Sequence, residues 1–137
     1  MARAPLNTTH PLLAAALAAR QWALAPLTGV KVGAALETAD GAIVTGCNVE
    51  SPSAIFTLCA ERVALVKALS EGHRACARIA VISDFRTPIP PCGFCRQLLF
   101  EYAPDCEVMM ATLDGQTRTA KLADLLPNAY RIEDRKS

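Results

Sequence analysis

A chain of 137 residues has the length of a single domain (residues 1–137), and 52% hydrophobic residues, many of them alanine, can fill one core with closely packed helices. A net charge of +1, with the charged residues interspersed along the chain, argues against a nucleic-acid groove, in which Lys and Arg would cluster. The alanine-rich run within residues 1–20 is too short and interrupted for a signal peptide or a membrane span, and the six cysteines read as reduced thiols of a cytoplasmic protein rather than a disulfide framework.

Residues 1–7 read as a loose arm. Thr8 or Thr9 can cap a helix with Pro11 in its first turn, where a missing N–H costs nothing. Leu12, Leu13, Leu17 and Leu24 lie roughly on one face of that helix up to Ala25, Trp22 reads as a packing residue, and Pro26 ends the element. Residues 30–36 predict a strand, Asp40-Gly41 a hairpin turn, and 43–49 the returning strand. After the loop Ser51-Pro52-Ser53, a helix is expected over 57–69 with Val63, Leu65, Val66 and Leu69 offered to the core, stopped by Ser70-Glu71-Gly72. The β-branched run 79–83 predicts a buried strand. A rigid proline loop, 87–91, precedes a helix opened by Cys92 and running through Leu98, Leu99 and Phe100. A strand at 106–112, a turn at Asp114-Gly115, a weaker strand at 116–119 and a short helix holding Leu122, Leu125 and Leu126 follow, before a charged tail at 133–137. His10 and His73 fit no motif and read as loop or helix-end residues. This order predicts a three-layer α/β/α fold with a mixed five-stranded sheet, in which each cysteine group follows a loop and begins a helix.

Two segments carry chemistry: Leu58-Cys59-Ala60-Glu61-Arg62 and Pro91-Cys92-Gly93-Phe94-Cys95-Arg96. Three thiolates can hold a zinc ion and leave its fourth tetrahedral position open to water. Helix N-termini favour the thiolate form through their free N–H groups and partial positive charge. Glu61, two residues past a ligand, is poorly placed to ligate the same ion and well placed to move protons. Three thiolates on Zn²⁺ leave a formal charge of about −1, which Arg62 can offset, with Arg96 as a second candidate. Taken alone, Cys-x-x-Cys is also compatible with a redox pair or half of a structural zinc site. Cys47, Cys76 and Cys106 are candidate fourth ligands for such a site, although each reads better as a small buried hydrophobe.

The flanks are more specific. Val32-Gly33-Ala34-Ala35-Leu36, Thr45-Gly46-Cys47-Asn48-Val49-Glu50, Cys59-Ala60-Glu61-Arg62, Pro91-Cys92-Gly93-Phe94-Cys95-Arg96-Gln97 and Leu125-Leu126-Pro127 occur in order over most of the chain. Together they resemble the small cytidine deaminases, and the two cysteine segments match the zinc-deaminase signature. The resemblance implies a homotetrameric α/β/α sandwich with zinc on Cys59, Cys92 and Cys95, Glu61 as proton shuttle and Arg62 tempering the thiolates. It further implies that Asn48 and Glu50 bind ribose hydroxyls, that the Ala60 N–H meets the pyrimidine carbonyl oxygen, and that the Pro90 carbonyl meets the amino group. Two pocket aromatics of the family are replaced, by Val30 and by Ala54, and Tyr130 stands where a closing phenylalanine is offered to a neighbouring subunit.

The expected activity is hydrolytic deamination of cytidine and deoxycytidine in pyrimidine salvage, with a roomier pocket that tolerates N4-substituted cytosine nucleosides. The expected partners are a nucleoside and water, with neither nucleic acid nor membrane. Deamination of a cytosine-containing antibiotic, as by blasticidin S deaminase, is the alternative within the superfamily. That family departs from the Asn-x-Glu motif that Asn48 and Glu50 retain. A non-catalytic zinc or thiol-redox module is the alternative of a different class.

Overall fold

The computed structural model describes residue 6 and residues 9–134. Its elements are α1 (Pro11–Arg20), β1 (Gly33–Thr38), β2 (Ile43–Cys47), α2 (Ala60–Ser70), β3 (Cys76–Ser83), α3 (Gly93–Tyr102), β4 (Glu107–Thr112), β5 (Thr117–Lys121), α4 (Leu122–Leu125) and a single 3₁₀ turn at Ile132–Asp134. The five strands form one sheet in the order β2-β1-β3-β4-β5. Only the β3–β4 pair is parallel, joined through α3, so the sheet is mixed as the element order predicts.

Strand alternation sorts the core into two layers. Ala34 and Leu36 of β1, Ile79 of β3, and Val108 and Met110 of β4 face α2, α3 and α4. Ala35, Ala80, Ile82 and Ala111 face the other way, toward Leu12, Leu13 and Ala16 of α1. The fold is thus the expected three-layer sandwich, with α1 alone on one face. Two glycines allow the layers to close. A Cβ on Gly33 would lie 2.0 Å from the Ala16 carbonyl oxygen, and one on Gly46 would lie 2.6 Å from both the Ala60 oxygen and the Ala64 nitrogen. At both positions a helix lies directly on strand backbone, and at Gly46 that contact fixes where α2 begins.

Several local expectations are corrected. Helix α1 ends at Arg20, not Ala25, and its N-cap is His10, whose ring nitrogen accepts from the Leu12 N–H at 3.2 Å; Thr8 lies outside the described residues. Trp22 is 73% exposed and packs no core, and Leu24 and Val66 are also exposed. On α2 the core face is carried by Ala60, Ala64, Leu65 and Ala68. Residues 57 and 58 stay extended because Leu58 exchanges two backbone hydrogen bonds with Val49, so α2 starts at Ala60. Strand β3 begins at Cys76, three residues before its apolar run, because that polar half still pairs with β1 and β4.

Candidate active site

The two chemical segments meet at adjacent helix starts. Cys59 is the N-cap of α2 and Cys92 the N-cap of α3, whose first turn contains Cys95; the Cys92 sulfur accepts from the Cys95 N–H at 3.5 Å. Both N-cap residues are extended because helical φ/ψ begins only at the next residue; Cys92 uses this position to cap the first turn, whereas the Cys59 side chain makes no capping bond. The sulfurs of Cys59 and Cys92 are 3.7 Å apart and those of Cys92 and Cys95 are 3.4 Å apart. All three lie within 4.8 Å of one another, and among the described residues they are the one cluster of three or more side chains suited to hold a metal ion.

These spacings fit zinc. Zn–S bonds of about 2.3 Å in a tetrahedron place sulfurs roughly 3.8 Å apart. The cluster is positioned to chelate a metal ion, consistent with Zn²⁺ as cofactor, and with three ligands it leaves one coordination position for water. Cys59 already favours the thiolate: hydrogen bonds from the Cys95 and Cys92 thiols and from Arg62 bring its pKa down to about 5. Sharing its proton with Cys59 and being partly buried push the Cys95 thiol in the opposite direction. Deprotonating Cys95 is therefore work that metal binding must supply.

Arg62 reaches the Cys59 sulfur at 3.8 Å and the Thr57 carbonyl at 2.9 Å, and its guanidinium lies over the Phe94 ring at 4.5 Å. Arg96 donates to the Leu125 carbonyl at 2.5 Å, and Arg62 is the arginine with a hydrogen bond to a thiol of the cluster. The other cysteines are also elsewhere. Cys76 and Cys106 contact each other at 3.4 Å between β3 and β4, Cys47 ends β2 opposite Gly33, and all six cysteines are free. None is a fourth ligand, so the structural-zinc alternative loses its ligand set.

Glu61 sits in the first turn of α2, beside the cluster and 5% exposed. Burial, reinforced by the Cys59 thiolate, raises its pKa to about 7 against the pull of its backbone N–H and Arg62. A carboxyl poised there can both take and return a proton near neutral pH.

A cleft of about 340 Å³ opens over this centre. Thr28, Val30, Val32, Asn48 and Glu50 line it together with Cys59, Ala60, Glu61, Ile89, Pro90 and Cys92. The segment 48–50 runs between Leu24 and Leu58, bonded to both through backbone N–H and carbonyl groups, and this holds Asn48 and Glu50 at the mouth. Of the residues singled out in the sequence, Ala54 and Tyr130 are not among the lining. Ala54 is exposed in the turn after Glu50 with φ +63°, and Tyr130 faces a different cleft with Phe100 and Tyr102. Thr28, Thr57 and Ile89 line the cleft without having been singled out as site residues. Thr28 falls in the segment that aligns with the family's Tyr-Ser-x-Phe-x-Val-Gly stretch, but only the fold brings its hydroxyl to Glu50.

An α/β/α frame with three thiols at paired helix starts and a buried carboxyl beside them defines a zinc deaminase type of hydrolase. The model of the cytidine and deoxycytidylate deaminase zinc-binding region matches residues 6–112. The cytidine deaminase of Halalkalibacterium halodurans is 44% identical over 124 residues, covering 90% of this chain and 94% of its own. The crystal structure of cytidine deaminase from Burkholderia pseudomallei superposes with a TM-score of 0.86 at 47% identity, covering 88% of this chain and 98% of that one. The blasticidin-S deaminase of Bacillus cereus is 32% identical over 107 residues, 72% of this chain and 76% of its own. The chain belongs to the cytidine and deoxycytidylate deaminase family, and it is an enzyme of the cytidine deaminase type.

Proposed function

We propose that this enzyme hydrolyses the exocyclic amine of cytidine and deoxycytidine, giving uridine or deoxyuridine and ammonia. The observation that carries the proposal is Glu61, buried beside the three-thiol cluster in a nucleoside-sized cleft, with its pKa raised to about 7. Zinc on Cys59, Cys92 and Cys95 supplies activation of the attacking water at neutral pH. Glu61 would accept one proton of that water and deliver it to the pyrimidine ring nitrogen, then take the remaining proton of the added hydroxyl and pass it to the amine, which departs as ammonia. The N–H of Ala60, in the first position of α2, meets the pyrimidine carbonyl oxygen, and the Pro90 carbonyl accepts from the amino group. Arg62 tempers the charge of the thiolates.

Asn48 and Glu50 hold the sugar. The Thr28 hydroxyl and the N–H groups of Thr28 and Leu27 keep the Glu50 carboxyl below its ordinary range, so it is an ionised acceptor for hydroxyl donors. This favours an ordinary nucleoside over an antibiotic. Val30 on the cleft wall leaves space that a larger aromatic would take, which supports tolerance of N4 substituents; Ala54, outside the lining, adds nothing to it. A homotetramer working in the cytoplasm completes the proposal. The exposed Trp22, Ile55, Phe56 and Phe94 side chains support subunit contacts, Tyr130 is free of its own chain's cleft, and the six free thiols suit a reducing compartment. No helix among the described residues is long and apolar enough to cross a membrane, and the near-zero net charge gives no footprint for nucleic acid.

The test is mass-spectrometric product analysis of zinc-loaded protein with cytidine, deoxycytidine, N4-methylcytidine and blasticidin S. Uridine and deoxyuridine formed well ahead of the blasticidin product are expected. Turnover of blasticidin S alone would overturn the nucleoside assignment.

A further inference from the structure

The turn at residues 27–30 delivers three donors to one carboxylate. The N–H groups of Leu27 and Thr28 reach Glu50 Oε1 at 2.9 and 3.1 Å, and the Thr28 hydroxyl donates to Oε2 at 2.6 Å. The same hydroxyl oxygen accepts from the Val30 N–H at 3.1 Å, so it is used as donor and acceptor at once. Asn48 is tied to the next residues of the segment: its Oδ1 accepts from the Val32 N–H at 2.8 Å and its Nδ2 donates to the Val30 carbonyl at 2.7 Å. The wall of the cleft from 27 to 32 is thereby stitched to the two side chains at its mouth.

These bonds leave each side chain with one kind of capacity toward the cleft. Asn48 keeps one Nδ2 proton, and Glu50, acceptor-only when ionised, keeps lone pairs on Oε2. A hydroxyl lying between them can accept from the first and donate to the second. The terminal torsion of a glutamate is broad, and both backbone N–H groups hold the other oxygen. The Thr28 hydroxyl is the contact that fixes where Oε2 points.

We propose that Thr28 is a positioning residue for Glu50, aiming the carboxylate at a sugar hydroxyl and setting how strongly the enzyme distinguishes hydroxyl-bearing nucleosides from dideoxynucleosides; this rests on Glu50 being a sugar contact. Thr28 is exposed at the cleft mouth and contributes nothing to the core, so valine, of nearly the same shape, can replace it.

The experiment measures kcat and KM for cytidine, and the inhibition constant of 2′,3′-dideoxycytidine as competitor, for zinc-loaded wild type, Thr28→Val, Thr28→Ser and Glu50→Gln. The expected result for Thr28→Val is a KM for cytidine raised about tenfold, on the scale of one hydrogen bond to a charged group. Its kcat should change little, the dideoxycytidine constant should stay unmoved, and Thr28→Ser should behave as wild type. An equal rise for both ligands, or a rise for neither, with Glu50→Gln still discriminating between them, would overturn the role of Thr28 alone. A Glu50→Gln variant that weakens both ligands equally would remove the sugar contact itself, and the positioning role with it.

Discussion

Glu61 shows how one side chain draws its chemistry from where the helix starts. Its carboxyl is buried beside a thiolate, and burial is the larger cause of its raised pKa. The sign of the linkage follows. The folded state holds this proton more tightly than the unfolded chain, so stability is fullest below the ordinary value of 4.5 and falls as pH rises toward about 7. In metal-stripped, reduced protein, Glu61→Gln is therefore expected to be more stable than wild type at pH 8 and equal to it near pH 4, as read by urea unfolding. A constant difference across that range would contradict the burial account. Val30 supports a second prediction at this scale: Val30→Phe should fill part of the cleft and lower kcat/KM for N4-methylcytidine more than for cytidine. Equal effects on the two substrates would count against a wall-size role. The cysteines and Glu61 were legible in the sequence because metal chemistry restricts residue type and spacing so tightly. The tie between Thr28 and Glu50 was not, because it joins side chains 22 positions apart. The fate of Arg96 was equally hidden, since it depends on where α4 puts a carbonyl.

At the scale of elements, the site depends on where α2 and α3 begin. Gly46 lets α2 lie on β2 so closely that any side chain would strike the backbone of Ala60 and Ala64. Gly46→Ala should therefore displace the start of α2, costing about 1–3 kcal/mol as overpacking does. It should also weaken zinc retention, because Cys59 moves with that start. Thermal unfolding and competition with a chelator measure the two effects. A variant with unchanged Tm and zinc affinity would show that α2 is positioned by something else. The hairpins were legible from their Asp-Gly turns, in both of which the glycine takes positive φ, +89° at Gly41 and +94° at Gly115. The end of α1 and the start of β3 were misjudged for one reason. Leu24 falls on the periodic face of α1 although it is exposed, and Cys76 and Arg78 lie outside the apolar run although they pair with β1 across a register shift. Hydrophobic pattern reports burial, and these segments follow backbone hydrogen bonding instead.

For the whole molecule, the metal centre joins regions that the chain order keeps apart, with Cys59 on one helix and Cys92 and Cys95 on the next. The element order made the mixed five-stranded sheet foreseeable, while the strand order β2-β1-β3-β4-β5 and the isolation of α1 on one face emerge only once parallel β3–β4 pairing is fixed. Because bound metal stabilises only the state that assembles the site, removing zinc should lower Tm, and restoring it should recover both Tm and activity. The central claim, that three thiols hold zinc while Glu61 moves the protons, is tested most directly by uridine production from cytidine with Glu61→Ala and wild type, each verified to carry one zinc per chain. The account predicts that Glu61→Ala keeps its zinc and loses turnover by a factor of about 10²–10⁴, the usual scale of general acid–base catalysis. Undiminished uridine formation by the zinc-loaded variant would contradict it.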